Sequence, residues 1–242
     1  LFTVAEEIGL CGSRYIDRKF LKADFGYVLD GGDIAEIINR APSQDSIEAK
    51  VTGRAAHAGV HPERGINAIK VASEAIARMR LGRIDFETTA NIGIIKGGTA
   101  TNIVPEVVEL KGEARSHNFG KLKRQIARMT KELRKACSKY RAKLSCKVVP
   151  AYRAFKIPAV HKALMMAKSA AKDVGIRPRV KATGGGSDAN IFQSFGLPCL
   201  IIGVGADRVH TTKERIAVKD MVKGAELVLN IIKECAKCLR KP

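Results

Sequence analysis

The run CLIIGVG, residues 199–205, is unbroken in apolar side chains and decides the fold. A strand wetted on one face alternates apolar with polar residues. A short apolar run bounded by glycine reads as a strand covered on both faces, the pattern of a sheet clothed in helices. The flanking segments agree. Val160 to Val174 reads as a helix, KATGGGSDAN (181–190) as a glycine-rich loop entering another, and residues from about 218 to 239 as a long helix. Far upstream, FGYVL (25–29) reads as a second apolar strand running into Asp30-Gly31-Gly32. LFTV (1–4) reads as a third, and IGLCGSRYIDRKFL between them as a helical crossover. Strand, helix, strand in that order argues for a parallel α/β sheet.

The middle of the chain has a different pattern. SIEAKVTGR alternates, with Ile47, Ala49 and Val51 on one face. Ile69, Ala72, Ile76 and Met79 then recur at helical spacing. TANIGIIKGG and VVELKGEAR read as two further strands, the latter turning Val108, Leu110, Gly112 and Ala114 inward. Leu122, Ile126, Met129, Leu133, Ala136 and Tyr140 mark a second helix, and LSCKVV closes the set. The order β-α-β-β-α-β is a split, ferredoxin-like sandwich with both helices on one face. The expected organisation is one α/β domain made of 1–40 and 151–242, interrupted by a small domain at 41–150.

At 45% hydrophobic and 28% charged residues, the 242-residue chain is composed like a folded globular protein. No apolar run approaches a membrane span, and no basic leader with a cleavage site opens the sequence. Six cysteines, several inside apolar segments, fit reduced core thiols and a reducing cytoplasm. Cys235 and Cys238 form a single C-x-x-C, a poor zinc signal without a second pair. The net charge of +19 suits a polyanionic partner. Much of it lies in KLKRQIARMTKELRKACSKYRAK (121–143), where cations fill the faces of the helix that the apolar stripe leaves open. A solvated face accounts for them. A nucleic-acid surface would interleave aromatic residues among the charges, and none is expected there.

In open α/β sheets, ligands bind beyond the carboxyl ends of strands. Three expected strand ends carry metal-capable groups: Glu6-Glu7 after LFTV, Asp30 after FGYVL, and His210 in the loop after CLIIGVG. Carboxylate and imidazole without thiolate suit zinc, manganese or cobalt in a hydrolytic site. Of two adjacent acids, one can bind metal while the other serves as a base.

The residues T-V-A-E-E-I-G-L, Y-V-L-D-G-G, G-R-A-A-H-A-G-V-H-P-E, G-G-T-A-T-N-I-V-P, G-E-A-R-S, G-G-G-S-D-A-N and V-H-T-T-K-E resemble, in order and over essentially the whole chain, the peptidase-T-like branch of the co-catalytic zinc metallopeptidases. That superfamily also holds carboxypeptidases and acyl-amino-acid deacylases. The resemblance implies a zinc-peptidase α/β domain with an inserted ferredoxin-like dimerisation or lid domain. It also implies hydrolysis of di- or tripeptides at the N-terminal residue, two zinc ions (or cobalt or manganese) per complete site, and a homodimer through the inserted domain. Glu6 resembles the general base. Glu7 and His210 resemble ligands of one metal, and Asp30 a ligand of the other. His57 resembles an oxyanion-stabilising histidine that reaches a neighbouring subunit's site. Asn102, Arg115, Gly185, Gly186 and Ser187 resemble substrate-holding groups. Each also has a plainer role open to it. His57 and Asn102 sit in turn-like sequence, Arg115 is one more cation, and Ser187-Asp188 is suited to capping a helix.

One departure stands out. The family pattern opens with H-x-D and continues to a bridging aspartate that holds two metals about 3.5–4 Å apart. Neither precedes Glu6. The expectation is that these residues form the C-terminal portion of a metallopeptidase, inactive alone. Two competing expectations are a non-catalytic dimerisation module derived from the enzyme, and a basic nucleic-acid-binding protein resting on charge.

Overall fold

The computed structural model describes the backbone of residues 1–239 and the side chains of 1–237. Two units separate: Leu1–Ala41 with the residues from Arg153 onward, and Pro42–Tyr152. The first unit opens with a short helix α1 (Cys11–Arg14) and strands β1 (Gly26–Leu29) and β2 (Glu36–Ala41). The second holds β3 (Ser43–Thr52), α2 (Ala68–Arg78), β4 (Gly82–Asp85), β5 (Thr88–Gly97), β6 (Val107–Ser116), α3 (Phe119–Tyr140) and β7 (Lys143–Tyr152). The chain then returns to the first unit with β8 (Phe155–Lys156), α4 (Lys162–Asp173), β9 (Arg179–Ala182), α5 (Asp188–Ser194) and β10 (Cys199–Ile202). A small hairpin of β11 (Ala206–Asp207) and β12 (Arg215–Ile216) and the long helix α6 (Val218–Leu239) complete it.

The apolar run is the centre of the first sheet. β10 pairs parallel with β1 and antiparallel with β2, while β9 pairs parallel with β2 and β8 lies on the far side. All four residues of β10 are buried. Successive strand residues point to opposite faces, so both faces are covered. Leu164, Ala167 and Ala170 of α4, Phe192 of α5, and Leu227 and Ile231 of α6 join Ile37, Ile38 and β10 in one core. The alanines of α4 let the helix lie close to the strands. Burial pushes the Cys199 thiol up to about 12, which marks it as a core group. Cys238 of the C-x-x-C lies outside the residues whose side chains are described. Cys235 has its Sγ 3.8 Å from Met166 Sδ.

Two expectations fail at the start of the chain. LFTV is not a strand: residues 1–4 pair with no strand, and Leu1, Phe2 and Val4 are exposed. An apolar tetrapeptide becomes a strand only where a sheet edge accepts its backbone groups. The crossover helix shrinks to α1 and a single 3-10 turn at Arg18–Phe20. The parallel neighbour of β1 is therefore β10 rather than LFTV. Strands β2 and β9 also escaped the sequence, because EIINRA and RVKA are too short and too charged to show a period.

The second unit carries the expected sandwich with one addition. Its sheet runs β4-β5-β6-β3-β7, antiparallel throughout, and the short hairpin strand β4 was not anticipated. Ile47, Ala49, Val51, Val108, Leu110 and Ala114 face inward as the alternation requires. In α3 the buried stripe is Leu122, Ile126, Met129, Leu133 and Ala136. In α2 it is Ala68, Val71, Ala72, Ala75 and the following Met79, with Ile69 turned outward, contrary to expectation. The small residues permit the close approach of α2 and α3. That contact is fastened by Glu74, which accepts from Tyr140 Oη at 2.5 Å and from Lys139 Nζ at 2.8 Å. Leu133, 1% exposed in the core of this unit, is expected on replacement by alanine to cost about 2–5 kcal/mol of stability, checked by urea unfolding.

Candidate active site

Asp30 is placed by a backbone lace. Its N–H donates to the Ile202 carbonyl at 3.2 Å. The N–H groups of Val204 and Gly205 donate back to Gly31 (3.3 Å) and Gly32 (2.7 Å). Gly203 makes the crossing possible: a Cβ there would stand 1.9 Å from the Asp33 carbonyl oxygen. Asp30 thus follows directly on β1, as the strand-end rule expects. It opens into a cavity of about 400 Å³ whose opposite wall is the loop Gly184–Ser187. A Cβ at Gly184 would meet nothing within 4 Å, so that wall is bare backbone beside open space. The Lys181–Glu36 ion pair closes one side.

Ser187 caps α5. Its hydroxyl accepts from Ala189 N–H at 3.2 Å, and Asn190 Oδ1 accepts from Ser187 N–H at 3.1 Å, a reciprocal capping box. Asp188, the first residue of α5, is 4% exposed. One of its oxygens, Oδ2, accepts from Thr3 Oγ1 at 2.5 Å, while Oδ1 has no partner. This bond ties the segment carrying Glu6 and Glu7 to the glycine-rich loop. The sequence suggested only a cap at Ser187-Asp188; the bond to Thr3 joins residues 185 apart and left no local signal.

Glu6 and Glu7 follow Ala5, which has φ 55. The N–H groups of Gly9 and Leu10 both turn back to the Glu6 carbonyl. His210 sits at the tip of the β11–β12 hairpin with φ 63, its N–H donating to Glu214 Oε2 at 3.1 Å. It is therefore a hairpin residue rather than a strand-end residue. Its Nδ1 lies 3.5 Å from Glu7 Oε2, both side chains largely exposed. Partial burial, and then the carboxylates of Asp30, Glu7 and Asp188, push the Glu6 carboxyl up to about 7 against the opposing pull of His210. Burial first, then Asp188 and Glu7, also raises Asp30. The two shifts place Glu6, Glu7, Asp30, Asp188 and His210 in one electrostatic neighbourhood.

These donors fit part of a metal shell. Carboxylate and imidazole are the chemistry zinc, manganese or cobalt accepts. Among the described residues, however, no three His, Cys, Asp or Glu side chains converge closely enough to hold an ion. Glu7 with His210 supplies two donors, and Asp30 supplies one.

The remaining candidates belong to the second unit. His57 forms an antiparallel bridge with Ile103, and Ala58 N–H donates to the Asn102 carbonyl at 2.9 Å. The His57 and Asn102 segments are therefore neighbours. Gly59 N–H donates to His57 Nδ1 at 3.2 Å, which leaves Nε2 as the outward nitrogen. Arg115 is held by Glu113 through Nε at 2.7 Å and Nη2 at 3.0 Å, and Gln44 Nε2 donates to the same carboxylate at 2.8 Å.

Residues 43–141 match the model of a peptidase dimerisation domain. The chain is 41% identical over 238 residues to an uncharacterised Bacillus subtilis protein, YqjE, covering 98% of this chain and 64% of that one. A solved aminopeptidase PepT from Bacillus cereus is 43% identical with TM-score 0.85. A tripeptidase from Staphylococcus aureus is 41% identical with TM-score 0.91. Each structure covers 97% of this chain, which spans 63% of theirs.

Proposed function

We infer that the chain belongs to the PepT-type branch of the peptidases that carry this dimerisation domain, and the function follows from that premise. On that premise these residues supply part of the active centre of a metallopeptidase that removes the N-terminal residue of di- or tripeptides. Since the chain spans 64% of its B. subtilis relative, the activity is proposed for a protein in which these residues stand beside the remaining length of such relatives. The observation that carries the reading is the shared neighbourhood of Glu6, Glu7, Asp30 and His210 beside the cavity walled by Gly184–Ser187.

Glu7 and His210 would hold one metal and Asp30 the other. Bound metal, zinc first among the candidates, supplies a Lewis acid that acidifies water and polarises a carbonyl. Glu6 takes the proton from the attacking water and returns it to the leaving amine. The bare backbone of Gly185 and Gly186, with Ser187 behind it, lets a peptide lie against the wall. His57 would reach a neighbouring subunit's site and donate through Nε2 to the oxyanion developing there. Asn102 and Arg115 hold the peptide's polar ends, Arg115 as a guanidinium aligned by Glu113. A homodimer forms through the second unit, and the protein works in the cytoplasm. Among the described residues, no helix is long and apolar enough to cross a membrane.

The test is a tripeptide panel assayed with zinc, cobalt or manganese on the longest protein in which this sequence occurs, alongside metal analysis and chain mass in solution. Release of the N-terminal residue that depends on metal is the expected result. Full metal content with no cleavage of any peptide would refute it. A stable dimer that neither binds metal nor cleaves would favour a non-catalytic module instead. The 242-residue chain by itself, with two donors at most for any one ion among the described residues, is expected to bind zinc weakly in calorimetric titration.

A further inference from the structure

The cations of α3 mostly point into water, but four basic side chains converge. Arg80, Lys121, Arg124 and Arg128 line a cavity of about 360 Å³ in the second unit, with Asp85 the one carboxylate on its wall and Gln125 beside them. Lys121 is already neutralised, its Nζ 3.1 Å from Asp85 and 2.8 Å from Glu87. Arg80 spends one N–H on the Ile84 carbonyl at 2.6 Å. Arg124 and Arg128 are exposed and form no ion pair among the described residues. Crowded guanidinium groups without a counter-charge repel one another and favour an anion between them.

Gln125 supplies a second, independent observation. It is 2% exposed. Its Nε2 donates to the Arg80 carbonyl at 2.8 Å, which fixes the orientation of the amide, and its Oε1 finds no partner. Buried acceptors left unpaired are rare and costly. An anion that also carries a proton answers both the guanidinium groups and the orphaned oxygen. Exposed arginine side chains change rotamer within nanoseconds, so they admit such an ion to the wall behind them.

We propose that this cavity binds a small phosphate-bearing ligand, inorganic phosphate or a phosphate monoester, held by Arg80, Arg124 and Arg128, with Gln125 Oε1 accepting from a protonated or hydroxyl oxygen. A nucleic-acid strand fits less well. Phe86 and Phe119, aromatic residues beside the charges that the sequence did not lead us to expect there, already carry Lys121 (4.7 Å) and Lys123 (5.2 Å) over their rings. Each ring thus has a cation over one of its faces, which makes it a poorer platform for stacked bases. The site uses none of the residues assigned to peptide hydrolysis, so either assignment can fail without the other.

Inorganic phosphate titrated calorimetrically into the full chain at neutral pH and low salt is expected to bind saturably, one per chain. Sulfate has no proton to donate and is expected to bind about fivefold more weakly or worse. Glycerol phosphate binding as well would identify an ester site, and inorganic phosphate alone a site for the free ion; both support the proposal. Combining Arg124→Ala with Arg128→Ala is expected to weaken phosphate at least about tenfold. Lys131→Ala with Arg134→Ala removes the same charge from exposed positions of α3 outside the cavity, and should leave affinity within about twofold. Four results would each overturn the proposal: no saturable phosphate binding, equal loss in the two double variants, sulfate as tight as phosphate, or binding only to a mixed-sequence oligonucleotide.

Discussion

Glu6→Gln is expected to lower kcat for tripeptide cleavage by about 10²–10⁴-fold in the complete peptidase, the usual contribution of a positioned general base. The substitution keeps shape and removes only the ability to take a proton. No hydrogen bond or ion pair holds the Glu6 carboxylate among the described residues, so its loss breaks no contact. Its neighbours Asp30, Glu7 and Asp188 all disfavour its charge. The variant should therefore melt at the same temperature as the parent or slightly above it. Metal content should hold, because Glu7, Asp30 and His210 remain. Steady-state kinetics, metal analysis and thermal unfolding together check this. Undiminished kcat would remove Glu6 from its assigned role, whereas a fall in kcat together with a fall in metal content would make it a ligand instead.

The second large effect concerns the crossing beneath the cavity. Gly203→Ala is expected to cost about 3 kcal/mol or more, a large share of the ~5–15 kcal/mol by which folded proteins are stable. The added Cβ would stand 1.9 Å from the Asp33 carbonyl oxygen and 2.8 Å from its carbon. Neither atom is free to yield. The N–H of Gly203 donates to Glu36, and Asp33 is pinned by its own bond to Ala35 N–H and by Arg179. Relief requires β10 to move away from the Asp30–Asp33 turn, which carries Asp30 with it. Gly184→Ala is the matched comparison: nothing lies within 4 Å of the new atom, so stability should change by no more than about 0.5 kcal/mol. Urea unfolding of both variants measures the difference. Equal, small effects would mean that the crossing is looser than the structure shows.

Much of this architecture was legible because its signals are local. Ile47, Ala49 and Val51 alternate within five residues, and Leu122 to Ala136 repeat at helical spacing within one helix. A strand or helix that buries one face must write its period into adjacent positions. CLIIGVG declared a doubly covered strand for the same reason. Failures came where pairing outweighs pattern. LFTV had the composition of a strand and no strand to pair with, whereas EIINRA and RVKA lacked the pattern and became strands by pairing, EIINRA with RVKA and with the apolar β10.

The candidate site divides along the same line. The sequence alone determined which residue types were available at Glu6, Glu7, Asp30 and His210, and that Asp30 follows a strand. Only the tertiary structure brought Glu7 within 3.5 Å of His210, moved His210 to a hairpin tip, and tied Thr3 to Asp188 across the fold. It alone brought Arg124 and Arg128, which read along the chain as a solvated face, together with Arg80 around Gln125. The physical reason is the range of the forces. Side-chain periodicity records what lies on either side of one element. Electrostatic neighbourhoods and cavities depend on distances between elements that no local pattern encodes.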